Sequence, residues 1–264
     1  MGKHTWRPHL LAAFRKDRAD RCSASETGVY SFPQGIRAVP TFDESLKVLR
    51  QSINAQGERV LSLTLSAVES YFDGDRTKAL AVIAGDEEVD RVDVEIERSS
   101  VPLLGLGMND EFRIRSVLTI VKVNNELERI ADCAVEIAEH VLKDQPCTTR
   151  VPAVFRVMAN SVIGMLRDAN RALATGNANL AQQVLLFDDT VAQFKTELLK
   201  TAQTDVEDGT ITVEFAFRLL GITKSIERIA DHATNICEQV IYLQAGLIVR
   251  HRPEGWSAPL PPTP

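Results

Sequence analysis

Glu128-Arg129-Ile130-Ala131-Asp132 recurs 99 residues later as Glu227-Arg228-Ile229-Ala230-Asp231. A chain that spells the same five residues twice at that spacing is constrained to fold as two similar units, each about a hundred residues long. The agreement extends outward: Asn125-Glu126-Leu127 stands against Lys224-Ser225-Ile226, and the run from Cys133 to Val141 stands against that from His232 to Val240.

The prolines say what kind of unit this is. None lies between Pro40 and Pro102, between Pro102 and Pro146, or between Pro152 and Pro253, so long uninterrupted helices are allowed in each gap. Aromatics are only 6% of the chain, leaving Ala, Leu, Val and Ile to build the core. From Phe42, the residues Leu46, Leu49, Ile53, Val60, Leu61, Leu65, Val68 and Phe72 recur at helical spacing and stop at Asp73-Gly74-Asp75, a turn signal. A second helix is predicted over 75–100, with Leu80, Val82, Ile83, Val89, Val92 and Ile96 on its core face. Pro102, Gly105 and Gly107 form the next connection, and a third helix over 110–143 carries the repeated motif.

The second unit follows the same plan, with helices over 155–175, 180–200 and 211–245. Thr175-Gly176-Asn177 matches Asp73-Gly74-Asp75 at an offset of 102, and Asp188-Asp189-Thr190-Val191-Ala192 matches Asp86-Glu87-Glu88-Val89-Asp90 at the same offset. The change from 102 to 99 assigns a three-residue difference to the second connection. The fold class is therefore all-α: two tandem, pseudo-symmetric three-helix bundles over 41–145 and 146–245. A flexible extension precedes them at 1–40, and a proline-rich tail follows at 246–264.

Charge narrows the partners. Net charge is −6 overall, but residues 1–40 carry seven Lys/Arg against three Asp/Glu, which leaves residues 41–264 at −10. An acidic body argues against nucleic acid, whose phosphates need a basic face, and favours cations or basic protein surfaces. No segment reaches the apolar length of a membrane helix, so direct membrane insertion is not expected. Cys22, Cys133, Cys147 and Cys237 show neither CxxC spacing nor a dense framework, which fits a reducing cytoplasm. Bundles of this kind commonly pair, and a homodimer is expected.

On a helix, residues four apart share a face, so Glu128 and Asp132 form a stripe that Glu136 and Glu139 continue. The second unit presents Glu227, Asp231 and Glu238, with Asn235 in place of the second Glu. Asp86 and Asp90 repeat the pairing on the second helix. Two acids at this spacing repel by only about 0.2–0.5 kcal/mol, so repulsion does not force a metal, and periodicity alone favours a solvated face neutralised by Arg129 and Arg228. A metal gains ground if helices two and three pack side by side and the two pairs meet across a groove. A Glu-x-x-His di-iron pattern is absent, because Ala131 and Ala230 stand where His would be. His232 reads as a surface or packing residue.

Two three-helix units, each closing on E-R-I-A-D with a helical continuation such as Asn235-Ile236-Cys237-Glu238, resemble the PhoU family over about 41–250. The resemblance implies a cytoplasmic, non-enzymatic regulator of phosphate homeostasis. Such a protein negatively controls uptake by the high-affinity phosphate ABC transporter and silences phosphate-starvation two-component signalling. Its implied partners are the transporter's ATPase subunit and the phosphate-sensing histidine kinase. It also implies a multinuclear metal cluster, iron first, with manganese, zinc or magnesium as alternatives. By that match the ligands are Asp86, Asp90, Glu128 and Asp132 in unit one, and Asp188, Glu227 and Asp231 in unit two. Ala192 departs from the pattern, where an Asp is expected, so the second site is expected to be the weaker one. Two other readings compete: a metal-dependent carboxylate-cluster enzyme on a helical bundle, and a helical interaction module without metal.

Overall fold

A computed structural model describes residues 40–106, 110–143 and 151–249. Its regular elements are α1 (Phe42–Asp73), α2 (Arg76–Leu106), α3 (Glu111–Lys143), α4 (Ala153–Thr175), α5 (Ala178–Glu207) and α6 (Val213–Ala245), with no strand among the described residues. Expectations for residues 1–39 and 250–264, including Cys22, lie outside the described residues, as does Cys147.

Local chemistry fixes the helix ends. Thr41 and Glu44 form a capping box at the start of α1, each side chain bonding the other's backbone N–H. The two turns that the repeat pairs are built alike: Gly74 and Gly176 both take φ 63°, a left-handed conformation that a β-carbon would strain. Directly after each turn a side-chain oxygen caps the next helix. Asp75 Oδ1 accepts from Lys78 N at 3.0 Å, and Asn177 Oδ1 accepts from Leu180 N at 3.0 Å.

Four expectations need correction. First, α2 continues through Pro102 to Leu106; the ring removes one backbone bond, to the Arg98 carbonyl, and burial of Leu103 beyond it holds the last turn. Second, Leu80 is exposed while Ala79, Val82, Val89 and Ile96 are buried, because Leu80 lies 100° of helical rotation beyond the stripe that Ala79 begins. Third, α5 runs to Glu207, past the expected end at 200. Fourth, the three-residue difference between units falls in a helix rather than a loop: Glu128 lies 17 residues after the start of α3, whereas Glu227 lies 14 after the start of α6. The second unit is short by just under one helical turn. Packing also reaches slightly past α6, with Val249 buried against the core.

Helices α1, α2 and α3 pack on one another, and so do α4, α5 and α6. The units join through α3 against α6 and α1 against α4. At the α3–α6 joint Glu126 bonds Asn235 and Glu136 bonds Ser225, so the pairing order reverses and the two helices run antiparallel. They pass each other at small buried residues, Ala131 and Ala134 on one and Ala230 and Ala233 on the other. In the repeat, Ser225 is the counterpart of Glu126 and Asn235 that of Glu136; the two hydrogen bonds are therefore one contact repeated by a pseudo-two-fold. A second crossing is equally close: Asn170 Nδ2 donates to the Gly57 carbonyl at 2.7 Å, and a β-carbon at Gly57 would lie 2.9 Å from Asn170 Oδ1.

Candidate metal centre

The antiparallel α3–α6 pair leaves α2 and α5 on the outside, each forming a groove with the motif helix of its own unit. In the first groove the structure brings Asp86 and Asp90 of α2 toward Glu128 and Asp132 of α3. Asp86 is half-buried, and its pKa is pushed up to about 6 by desolvation first, then by the charges of Asp90 and Asp132. Desolvation, Asp132, Asp93 and Asp90 likewise raise the pKa of Glu128, with Arg129 opposing. These four carboxylates make no salt bridge among the described residues. Arg91 is paired with Glu88 and Glu95. Of the two arginines expected to neutralise this face, Arg129 acts on Glu128, while Arg228 is bonded to Glu136 in the joint between units.

Asp93 is a member that the motif reading missed. It lies seven residues after Asp86, on the same face of α2, and a spacing of four then three was a sufficient signal. Burial, Glu97 and Asp90 raise its pKa, while Asn124 of α3 donates to its Oδ1 at 2.6 Å.

Two acids expected in the stripes belong elsewhere. Glu136 turns to the other unit, accepting from Arg228 Nη1 at 2.7 Å and Ser225 Oγ at 2.9 Å, and these bonds pull its pKa below the usual range against desolvation. Glu238 is buried on the core-facing side of α6. His232 is a packing residue in the same joint, its Nδ1 2.7 Å from Glu126 Oε2, which also accepts from Asn235 at 3.0 Å. The buried thiols of Cys133 and Cys237 are raised well above their ordinary pKa, Cys133 to about 12, and neither is a reactive or ligating thiolate.

In the second groove Asp188 of α5 meets Asp231 and Glu227 of α6, and its pKa rises through desolvation first and then the charges of Asp231, its neighbour Asp189, and Glu227. Ala192 stands exposed where Asp90 stands in unit one. Lys195 Nζ lies 2.7 Å from Glu227 Oε1, which makes this groove an ion pair as well as a carboxylate cluster.

The donor set of the first groove suits a hard or borderline cation. Every donor is a carboxylate oxygen, and positive charge between the helices would relieve the repulsion that raises the pKa values of Asp86 and Glu128. As placed, no three His, Cys, Asp or Glu side chains among the described residues are gathered closely enough to hold one ion. Asp90 and Asp132 are exposed.

The model of the PhoU domain matches this sequence twice, over residues 53–141 and 155–240, one match to each three-helix unit. The chain belongs to the PhoU family. Among relatives, a phosphate-specific transport system accessory protein PhoU homolog of Zymomonas mobilis is 30% identical over 219 residues, 82% of this chain and 92% of the relative. A PhoU homolog 1 of Thermotoga maritima is 27% identical over 207 residues, 78% of this chain and 89% of the relative. The crystal structure of the phosphate transport system regulatory protein PhoU from Streptococcus pneumoniae superposes with a TM-score of 0.73 at 27% identity, covering 79% of this chain and 99% of that one. PhoU from Pseudomonas aeruginosa gives 0.72, also at 27% identity, over 77% and 98%. No helix among the described residues is long and apolar enough to cross a membrane.

Proposed function

We propose that this PhoU-family chain is a regulator of phosphate uptake that acts by docking rather than by turnover, and that the first groove is its metal site. The observation carrying the reading is that the PhoU domain matches both units while relatives along most of the chain are named as accessory or regulatory proteins of phosphate transport. In this reading the protein works in the cytoplasm, as a homodimer. It contacts the ATPase subunit of the high-affinity phosphate ABC transporter and the phosphate-sensing histidine kinase, restraining uptake and starvation signalling when phosphate is plentiful.

Asp86, Asp90, Glu128 and Asp132 would hold the cation, with Asp93 beside them; iron is the first candidate and manganese, zinc and magnesium follow. A bound cation supplies the positive charge that cancels their repulsion and ties α2 to α3. In this reading these residues bind and brace. Deleting the gene in the source organism tests the role: phosphate uptake and starvation-gene expression rise in phosphate-rich medium, and unchanged levels refute it. Elemental analysis of the purified chain beside a Glu128→Gln/Asp132→Asn variant tests the groove, and equal metal content in the two refutes the ligand assignment.

A further inference from the structure

The two grooves differ at the positions that set their charge. By the internal repeat Asp86 matches Asp188, Asp90 matches Ala192, and Asp93 matches Lys195, while Glu128 and Asp132 match Glu227 and Asp231. On the outer helix three carboxylates in unit one thus become one carboxylate, one methyl group and one ammonium in unit two. With the motif-helix pair included, formal charge across these positions changes from −5 to −2.

The ammonium is not bystanding. Lys195 Nζ spans from α5 to α6 and bonds Glu227 Oε1 at 2.7 Å, and its charge also offsets the repulsion on Asp231. We infer that Lys195 is the built-in cation of the second groove: its ammonium does there what a metal does in the first, and it closes that groove to metal. The contrast with unit one rests on the metal reading above, whereas the charge compensation within unit two does not.

The physical case has three parts. A tethered ammonium reaches Glu227 without the translational entropy that a free ion gives up. A divalent ion entering the groove meets a like charge at the carboxylate it needs, and finds Ala192 where a further oxygen ligand is required. The α5–α6 tie that Lys195 makes to Glu227 belongs to the chain itself, so it does not depend on metal supply. Metal availability would then act on unit one alone, bracing or releasing α2 against α3 while unit two stays fixed.

The test uses the full chain, with Mn²⁺ as the probe. Ions per chain are counted after equilibrium dialysis, and thermal melts are run in chelator and in Mn²⁺. The variants are Asp86→Asn/Asp90→Asn, Asp188→Asn/Asp231→Asn, Lys195→Met and Ala192→Asp/Lys195→Asp. In the parent, Mn²⁺ is lost with the first pair of changes and retained with the second. Ala192→Asp/Lys195→Asp binds about twice the parent's Mn²⁺, melts lower in chelator and recovers in Mn²⁺; Lys195→Met shows the same melting pattern in smaller degree.

Parental Mn²⁺ lost equally with Asp188→Asn/Asp231→Asn overturns the inference, because the second groove then holds metal with Lys195 in place. No gain of Mn²⁺ and no Mn²⁺-dependent rise in melting temperature in either Lys195 variant also overturns it. A parent without Mn²⁺ whose Ala192→Asp/Lys195→Asp variant takes it up upholds Lys195 as the block, while the metal reading of the first groove fails.

Discussion

Replacing Asp86 with Asn separates stability from metal binding, because the structure predicts opposite signs for the two. Folding raises the pKa of Asp86 from 3.8 to about 6. A shift of about two units corresponds to about 3 kcal/mol at 1.36 kcal/mol per unit. Because the group is half-exposed, solvent screening reduces this to about 1 kcal/mol. The folded pKa lies above the unfolded one, so the penalty is absent below pH 3.8, grows as pH rises, and is complete above about pH 6. Asp86→Asn removes the charge and with it the penalty. In chelator at pH 8 the variant should be more stable than the parent by about 1 kcal/mol, a shift of about 0.3–0.5 M in urea midpoint for a slope of about 2–3 kcal/mol/M. At about pH 4 the gain disappears. With iron or manganese added at pH 8 the order reverses, since the parent gains binding energy that the variant has largely lost. A variant less stable than the parent in chelator at pH 8, or an equal gain at both pH values, refutes the argument that repulsion and desolvation govern this groove.

The joints between units and the buried thiols give three further predictions. Gly57→Ala should destabilise by about 1–2 kcal/mol in thermal melts, although alanine favours a helix by about 1 kcal/mol, because the new β-carbon meets the buried Asn170 amide; a stabilised variant contradicts the close approach. Glu126 and Glu136 have lowered pKa values, so their contribution is present above their unfolded pKa near 4.5 and lost as pH falls. A Glu126→Gln/Glu136→Gln variant should therefore show a flatter loss of stability below pH 5 than the parent, while being about 1 kcal/mol weaker at pH 7; parallel curves contradict it. Iodoacetamide adducts mapped by mass spectrometry should spare Cys133 and Cys237 until the protein unfolds, and rapid native labelling of either contradicts their burial as inert thiols.

The sequence alone determined the all-helical fold and the duplication, and it singled out the candidate site residues, because each is a local or periodic signal. Proline-free stretches and a 3.6-residue apolar rhythm define helices, Gly74 and Gly176 announce left-handed turns, and acids four apart mark a face whatever that face meets. It could not say what each face meets. Glu136 looked like a continuation of the Glu128–Asp132 stripe, yet it lies about 40° of helical rotation past Asp132 and bonds Arg228 and Ser225 across the joint. Pro102 looked like a helix end, and only the burial of Leu103 carries α2 past it. Ala192 was legible as a missing acid, whereas the ammonium of Lys195 beside Glu227 was not, since a lysine on an outer helix reads as solvated until its partner helix is in place. Helical periodicity is set by bonds within a few residues, and a sequence displays it directly. Which charges face one another is set by how α3 and α6 cross and where α2 and α5 then lie, and that only the tertiary structure decides.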